Sequence, residues 1–301
     1  MPSPFPQSLR AALLGNAAFS LLSGVSFVIF AAPLAAFVSA ASQPAVFRLV
    51  GLGLLVFAGL VGALGRRARP DPWLALGVSF ADLVWVLGSA VLLALAWSQL
   101  TAGGAALTAG IAAAVLGIAL AQLRGIAQTY AADASGRSLV CLEIHSAGRP
   151  DVIWRNLSDL GSIARFAPSL SFSRLRDPAV TRVGAVRECG DHGGREWAEL
   201  CKRFDAAARE IEADFLVDEP GFPFPFAALE GGWSVRAGEA GGSVVRVWLR
   251  GRPKPRLLTP LILPLLEWQS RRTFGPTVQR LAQEPGAPAS PDLARWAIIP
   301  C

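Results

Sequence analysis

Few residues of this chain could do chemistry: Arg187 and Glu199, the histidines His145 and His192, four cysteines, and Asp82 within an apolar run. Glu199 shares the segment Glu196 to Asp205 with Trp197, Cys201 and Arg203 at alternating positions, the spacing that puts side chains on one face of a strand. A carboxylate and a guanidinium on neighbouring strands can orient the polar end of a ligand or act as acid and base. Left exposed, such a pair contributes well under ~1 kcal/mol. Neither histidine has a Ser, Cys or Asp at a nucleophile's spacing, so a hydrolytic triad is not expected. Cys141, Cys189, Cys201 and Cys301 form no CxxC pair and have no His at metal-ligand spacing. No metal and no cofactor is therefore expected, and free buried thiols are the expected state. Neither a phosphate-binding loop nor a GxGxxG between a strand and a helix is present.

Asp82 lies in Phe80-Ala81-Asp82-Leu83, deep in an apolar segment, where a carboxylate costs about 2.5 to 3.5 kcal/mol on the insertion scale. It must face other helices or water. A proton or cation site is one reading, and an interhelical hydrogen bond to Asn16, Ser20 or Ser23 is the other. With no second charged residue at that depth to relay a charge, the hydrogen bond is favoured.

The elements that carry these residues differ sharply along the chain. It is 52% hydrophobic and 17% charged, and nearly all the charge follows position 124, which divides a membrane half from a water-soluble half. Apolar runs at 11–38, 46–64, 73–97 and 105–123 read as four membrane spans, with Pro33 expected to kink the first. Arg10, then Arg66, Arg67 and Arg69, then Arg124 flank alternate ends, while the other two loops lack Lys and Arg apart from Arg48 at the edge of the second span. The positive-inside rule then puts both termini in the cytoplasm of an inner-membrane protein. Gly15, Ser20, Gly24, Gly51, Gly59, Gly62, Gly110, Ala114 and Gly117 suit close helix packing in a four-helix bundle and leave room for homo-oligomers. The net charge of +6 is explained in part by these arginines, and no basic run interleaved with aromatics points to nucleic acid. Abundant Arg and Ala with few Lys fit a high-GC bacterial coding bias.

The expected division is a membrane domain at 1–126, a linker at 127–137, a soluble domain at 138–283 and a disordered tail at 284–301. The soluble part opens with a strand, Leu139 to Ser146, broken by Ala147-Gly148-Arg149-Pro150. A short helix follows, with Val152, Ile153, Leu157 and Leu160 on one stripe and Trp154 at its border. Six strand-like segments then alternate with turns, the clearest at Asp191 to Gly194 and Gly238 to Gly242, and they predict an antiparallel sheet. From Pro255 to Ala282 the period becomes helical, with Pro260, Pro264 and Pro276 expected to bend or interrupt it. Leu257 to Leu266 is too short to span a bilayer; it is read as part of this helix, with the membrane surface as its other resting place. The fold class is thus an all-α four-helix membrane bundle followed by an α+β domain whose curved antiparallel sheet grips a long C-terminal helix and encloses an apolar cavity.

Val152 to Asp159, then Phe166-Ala167-Pro168-Ser169-Leu170, then Trp197-Ala198-Glu199, in that order, resemble the START-related helix-grip superfamily (SRPBCC) in its polyketide cyclase/dehydrase-like branch. The resemblance implies a pocket for a lipid, polyketide, isoprenoid or other apolar molecule, lined by Trp154, Phe166, Trp197, Glu199, Phe215, Trp233, Trp248, Leu261 and Leu265. Only some members are catalytic, so a cyclase/dehydrase-type activity using Glu199 aided by Arg187 is an alternative. A small transporter or channel centred on Asp82, with the soluble domain as its sensor, is another, and Asn16 is the further polar residue embedded in the spans. Phe222-Pro223-Phe224-Pro225-Phe226 departs from the family pattern and reads as a lid or a membrane-touching loop.

Overall fold

The computed structural model describes residues 7–133, 137–238, 241–283 and 296–300, the last five by backbone alone. The chain divides after Thr129 into two compact units.

The first unit contains α1 (Gln7–Ile29), α2 (Ala31–Val38), α3 (Pro44–Arg66), α4 (Pro72–Ala96), a 3-10 turn (Trp97–Gln99) and α5 (Ala102–Thr129). Four helices, Gln7–Ile29, Pro44–Arg66, Pro72–Gln99 and Ala102–Thr129, are long and apolar enough to cross a membrane. The first apolar run is two helices, because Pro33 has no N–H to offer the Ile29 carbonyl, and the chain turns at Phe30. Only some of the small residues serve helix contact. A Cβ on Gly24 would lie 2.9 Å from the Gly51 carbonyl oxygen, and one on Gly51 would lie 2.8 Å from the Gly24 oxygen, so α1 and α3 touch backbone to backbone. A Cβ on Gly15, Gly59, Gly110 or Gly117 would meet nothing. Asp71 caps α4 by accepting from the Trp73 and Leu74 backbone N–H groups. Arg10 Nε donates to the Gly65 carbonyl at 3.4 Å, which puts Arg10 at the bundle end that carries Arg66.

The second unit is one sheet, in the order β2-β3-β4-β5-β6-β7-β1-β8, with every neighbouring pair antiparallel. Its strands are β1 (Ser138–Ser146), β2 (Leu170–Leu175), β3 (Val186–Asp191), β4 (Glu196–Asp205), β5 (Glu210–Phe215), β6 (Phe226–Ala237), β7 (Ser243–Pro253) and β8 (Trp296–Pro300). Between β1 and β2 lie α6 (Pro150–Ser158) and a 3-10 segment (Leu160–Arg165); after β7, α7 (Thr259–Leu281) runs along the sheet. Ile144, Ile153, Leu157, Val235, Val245, Val278 and Leu281 meet in the core between sheet and helices. Asn156 Nδ2 donates to the carbonyls of Leu281 (2.9 Å) and Gln283 (3.2 Å), which satisfies helix-end acceptors and fixes the C-terminal end of α7. Gly148 packs there too, since a Cβ on it would stand 2.4 Å from that of Ala282.

Four expectations change. α7 is continuous: Pro260 sits in its first turn, and Pro264 and Pro276 are carried inside it. The run Trp296–Pro300 is not tail but a strand paired with Ser146 to Leu142 of β1; the disorder expected for 284–295 lies outside the described residues. Cys141 is disulfide-bonded rather than free, whereas Cys189 and Cys201 are free and buried. A bulge between Cys201 and Arg203 breaks the alternation of β4, so Arg203 turns outward to Glu210 and Glu212 while Phe204 turns in against Trp154.

Candidate functional site

Between the concave face of the sheet and α7 lies a cavity of about 310 Å³. Leu157, Leu160 and Ile163 close it from the α6 side, and Ile211, Leu229 and Val247 project from the strands. Aromatic rings form a further wall. Trp197 meets Phe224 edge-on with centroids 5.1 Å apart, and Trp233 meets Phe274 of α7 at 5.1 Å. The segment Phe222 to Phe226 is therefore turned inward: Phe224 packs on Phe215, Phe222 and Trp197, and Phe226 is buried. It closes one side of the cavity and has no exposed ring to offer a membrane.

Two glycines shape the sheet wall. A Cβ on Gly231 would reach Leu249 at 3.0 Å, and one on Gly232 would fall 2.4 Å from the Trp248 indole, which lies directly across the strand pair. At this point β6 contributes no side chain, and Leu249 on one face of the sheet and the Trp248 indole on the other take up the space.

The polar feature of the lumen is an ion pair on adjacent strands. Arg187 of β3 and Glu199 of β4 are cross-strand partners, and the guanidinium donates to Glu199 Oε2. The other carboxylate oxygen accepts from Trp197 Nε1 at 2.7 Å, so both oxygens of Glu199 are engaged. Burial opposes the charge on Arg187, but the facing Glu199 carboxylate outweighs it and holds the arginine pKa above its ordinary value. Cys189 and Cys201 flank the pair on the same wall. Burial pushes the Cys189 thiol up to about 11, and it also raises Cys201. From α7 come Gln269, Ser270, Thr273 and Thr277; Thr277 Oγ1 donates to the Thr273 carbonyl at 2.8 Å and keeps its own acceptor capacity. At the rim, Asp191 is held below its ordinary value by the Arg195 backbone N–H, with the Arg195 side chain adding to it.

Of the residues expected at the site, Arg187, Trp197, Glu199, Phe215, Trp233 and Trp248 border this cavity. Trp248 does so at the bare glycine wall, its ring over Gly232 and under the Arg250 guanidinium (5.3 Å). Trp154 and Phe166 pack into the core instead, Trp154 against Phe204 at 5.6 Å. Leu261 and Leu265 face away from the cavity and are exposed. The α7 residues that do line it are mostly polar, and no apolar period could have singled them out. Phe224, Phe274, Gly231 and Gly232 were also not anticipated; the signal for Phe224 was its place in an aromatic, proline-rich run.

His145 and His192 are not among the cavity residues. Among the described residues, no cluster of His, Cys, Asp or Glu is placed to hold a metal ion. In the first unit, Asn16 Nδ2 donates to Asp82 Oδ2 at 2.7 Å and Ser20 Oγ to Asn16 Oδ1 at 3.1 Å, while Ser79 Oγ donates to Gln122 Oε1 at 2.8 Å. Asp82 is thus tied to α1 by the interhelical hydrogen bond that its depth requires.

Residues 140–284 match the family model described as polyketide cyclase / dehydrase and lipid transport. Similar solved structures include the protein XoxI from Bacillus cereus, at 16% identity over 49% of this chain and 93% of that one, with a TM-score of 0.38. A Thalictrum flavum norcoclaurine synthase point mutant in complex with a transition-state analogue is 16% identical over 48% of this chain and 94% of its own, with a TM-score of 0.39. Ara h 8.0201 is 13% identical over 48% and 97%, with a TM-score of 0.40. No curated protein matches the chain. The four long apolar helices lie outside the family match, and residues 140–284, which form most of the helix-grip sheet, its cavity and α7, are similar to the SRPBCC-type polyketide cyclase / dehydrase and lipid transport family.

Proposed function

We propose that this protein binds a lipid, polyketide, isoprenoid or similar apolar molecule in the cavity of its second unit, which the four long helices hold at an inner membrane. The carrying observation is an apolar, aromatic-walled space of about 310 Å³, a size suited to a small organic ligand, with the Arg187–Glu199 ion pair on its wall. The ligand's apolar body fills the space between Trp197, Trp233 and Phe274, and its polar end meets the Arg187 guanidinium. Tethering at the bilayer concentrates such a ligand where the cavity is. The Arg10, Arg66 and Arg69 pattern supports a cytoplasmic second unit.

Binding is favoured over catalysis because Glu199 is committed to an ion pair with Arg187 and also accepts from Trp197, so acting as a base would mean giving up the pair that orients it. Native mass spectrometry with lipid extraction on the gently purified full chain tests the reading. A stoichiometric apolar species is expected, and it is lost when Trp233→Arg fills the lumen with charge. A cavity that is empty, and that takes up no added apolar compound, would overturn it. If the protein is instead a cyclase/dehydrase-type enzyme, Glu199→Gln abolishes turnover while ligand retention persists.

A further inference from the structure

The half of α7 near its start has two apolar faces, and only one of them is used inside the fold. Leu263, Leu266 and Ser270 face inward. On the other side Leu258, Leu261, Leu265 and Trp268 follow one another at helical spacing, and Leu257 precedes them in the 3-10 turn at Arg256–Leu258. These are among the most exposed large apolar side chains of the second unit: Leu257 is 85% exposed, Leu261 46% and Trp268 40%. A contiguous exposed stripe of this kind in a folded domain marks a contact surface.

The charge around the stripe identifies what it contacts. Arg252, Lys254, Arg256 and Arg272 are exposed beside it, with the Arg272 guanidinium 4.6 Å over the Trp268 ring. The single acidic residue between positions 252 and 272 is Glu267. It accepts from Arg271 at 2.7 Å and from Tyr130 Oη at 2.7 Å, so its charge is compensated within the fold. Leucines and a tryptophan bordered by cations are the composition of a helix that lies in the headgroup region of an anionic bilayer. Connectivity agrees. The second unit begins at Tyr130, and its bond to Glu267 ties that first residue to α7 one position from Trp268.

We infer that Leu257, Leu258, Leu261, Leu265 and Trp268, with the cations around them, form a docking face by which the second unit lies on an anionic lipid surface. The face takes an anionic lipid surface because the exposed charges beside it, Arg252, Lys254, Arg256 and Arg272, are all basic and Glu267 is compensated within the fold. It rests on the membrane anchoring proposed above but not on the cavity being filled. Leu266 and Gln269, one residue along from Leu265 and Trp268, line the cavity, so a docked α7 puts the cavity wall at the headgroup layer.

The test uses the full chain reconstituted into phosphatidylcholine vesicles with and without phosphatidylglycerol. A nitroxide is placed at Leu261→Cys and, as a control, at Val183→Cys, an exposed position outside the stripe; the spectrum of identically treated unsubstituted protein is subtracted. With phosphatidylglycerol present, the label at 261 is expected to collide with oxygen and be shielded from a water-soluble nickel chelate, while the label at 183 stays open to nickel. Lys254→Gln with Arg256→Gln is expected to lower the ratio of docked to undocked protein on the order of thirtyfold, from about 1 kcal/mol per cation. Equal nickel access at both positions would overturn the inference. So would spin–spin broadening that disappears on dilution with unlabelled protein, which would show a second copy on the face. Ligand retention measured on the same samples separates the two proposals: an undocked unit that holds its ligand refutes only the docking face, and a docked unit with an empty cavity refutes only the ligand.

Discussion

Arg187 and Glu199 are the side chains on which the site depends most. Removing one partner leaves the other charged and buried, at a cost of about 3–5 kcal/mol, whereas replacing both with apolar groups of similar volume is close to neutral. Glu199→Leu alone should therefore lower the denaturation midpoint of the second unit strongly. Arg187→Met with Glu199→Leu should recover it while losing the ligand's polar anchor. Equal stability losses in the single and double variants would mean that the pair is structural only. Cys189 gives a pH signature at the same wall. Its thiol ionises near 11 in the fold but near 9 when exposed, so the folded state holds the proton longer. Stability is full below about 9 and falls as pH rises toward 11, and Cys189→Ala should flatten that slope in chemical denaturation series. The pairing of Arg187 with Glu199 was legible from alternation within adjacent strand-like segments. The Trp197 bond to Glu199 was not, because an indole and a carboxylate two residues apart on one strand meet only if both rotamers converge.

Elements were legible where a single period dominates and obscure where two compete. β2 and β4 lie where turn residues and alternation put them, and α6 buries the stripe Val152, Ile153 and Leu157. In α7 the leucines at 257, 258, 261 and 265 outweighed everything else, and they drew Leu261 and Leu265 inward in the sequence reading. The fold turns that stripe outward and lines its cavity with Ser270, Thr273 and Thr277, whose hydroxyls no hydropathy pattern marks as interior. The β4 bulge was equally hidden, since nothing in Cys201-Lys202-Arg203 announces an extra residue. In the first unit, small residues signalled close packing but not which of them make contact. Gly24→Leu or Gly51→Leu should separate α1 from α3 and lower the thermal midpoint in detergent, at an overpacking cost of about 1–3 kcal/mol. Gly15→Ala and Gly59→Ala, with open space at the added carbon, should leave it unchanged or raise it.

For the molecule as a whole, composition alone separated the apolar helices from the charged, cavity-bearing unit. For a second unit held at a membrane, as proposed, two observations point to opposite sides: the arginine pattern favours the cytoplasm, and the disulfide at Cys141 favours an oxidising compartment. The arginines are the firmer guide, because insertion reads them directly. A membrane-impermeant reductant added to intact cells should then leave the Cys141 disulfide intact while a permeant one breaks it; reduction by the impermeant reagent would place the unit on the opposite side. The two ends of α7 are also held unequally. Asn156 clamps the carbonyls of Leu281 and Gln283 at the end of the helix, while the first half has leucines on its outer side and is tied through the Glu267 side chain to Tyr130 only towards its middle. Ligand exchange then becomes a hinge problem with the pivot at Asn156. Amides of residues 259–268 should exchange with deuterium before those of 270–281, and the rate at which a ligand escapes should follow the opening of the early turns rather than the unfolding of the sheet.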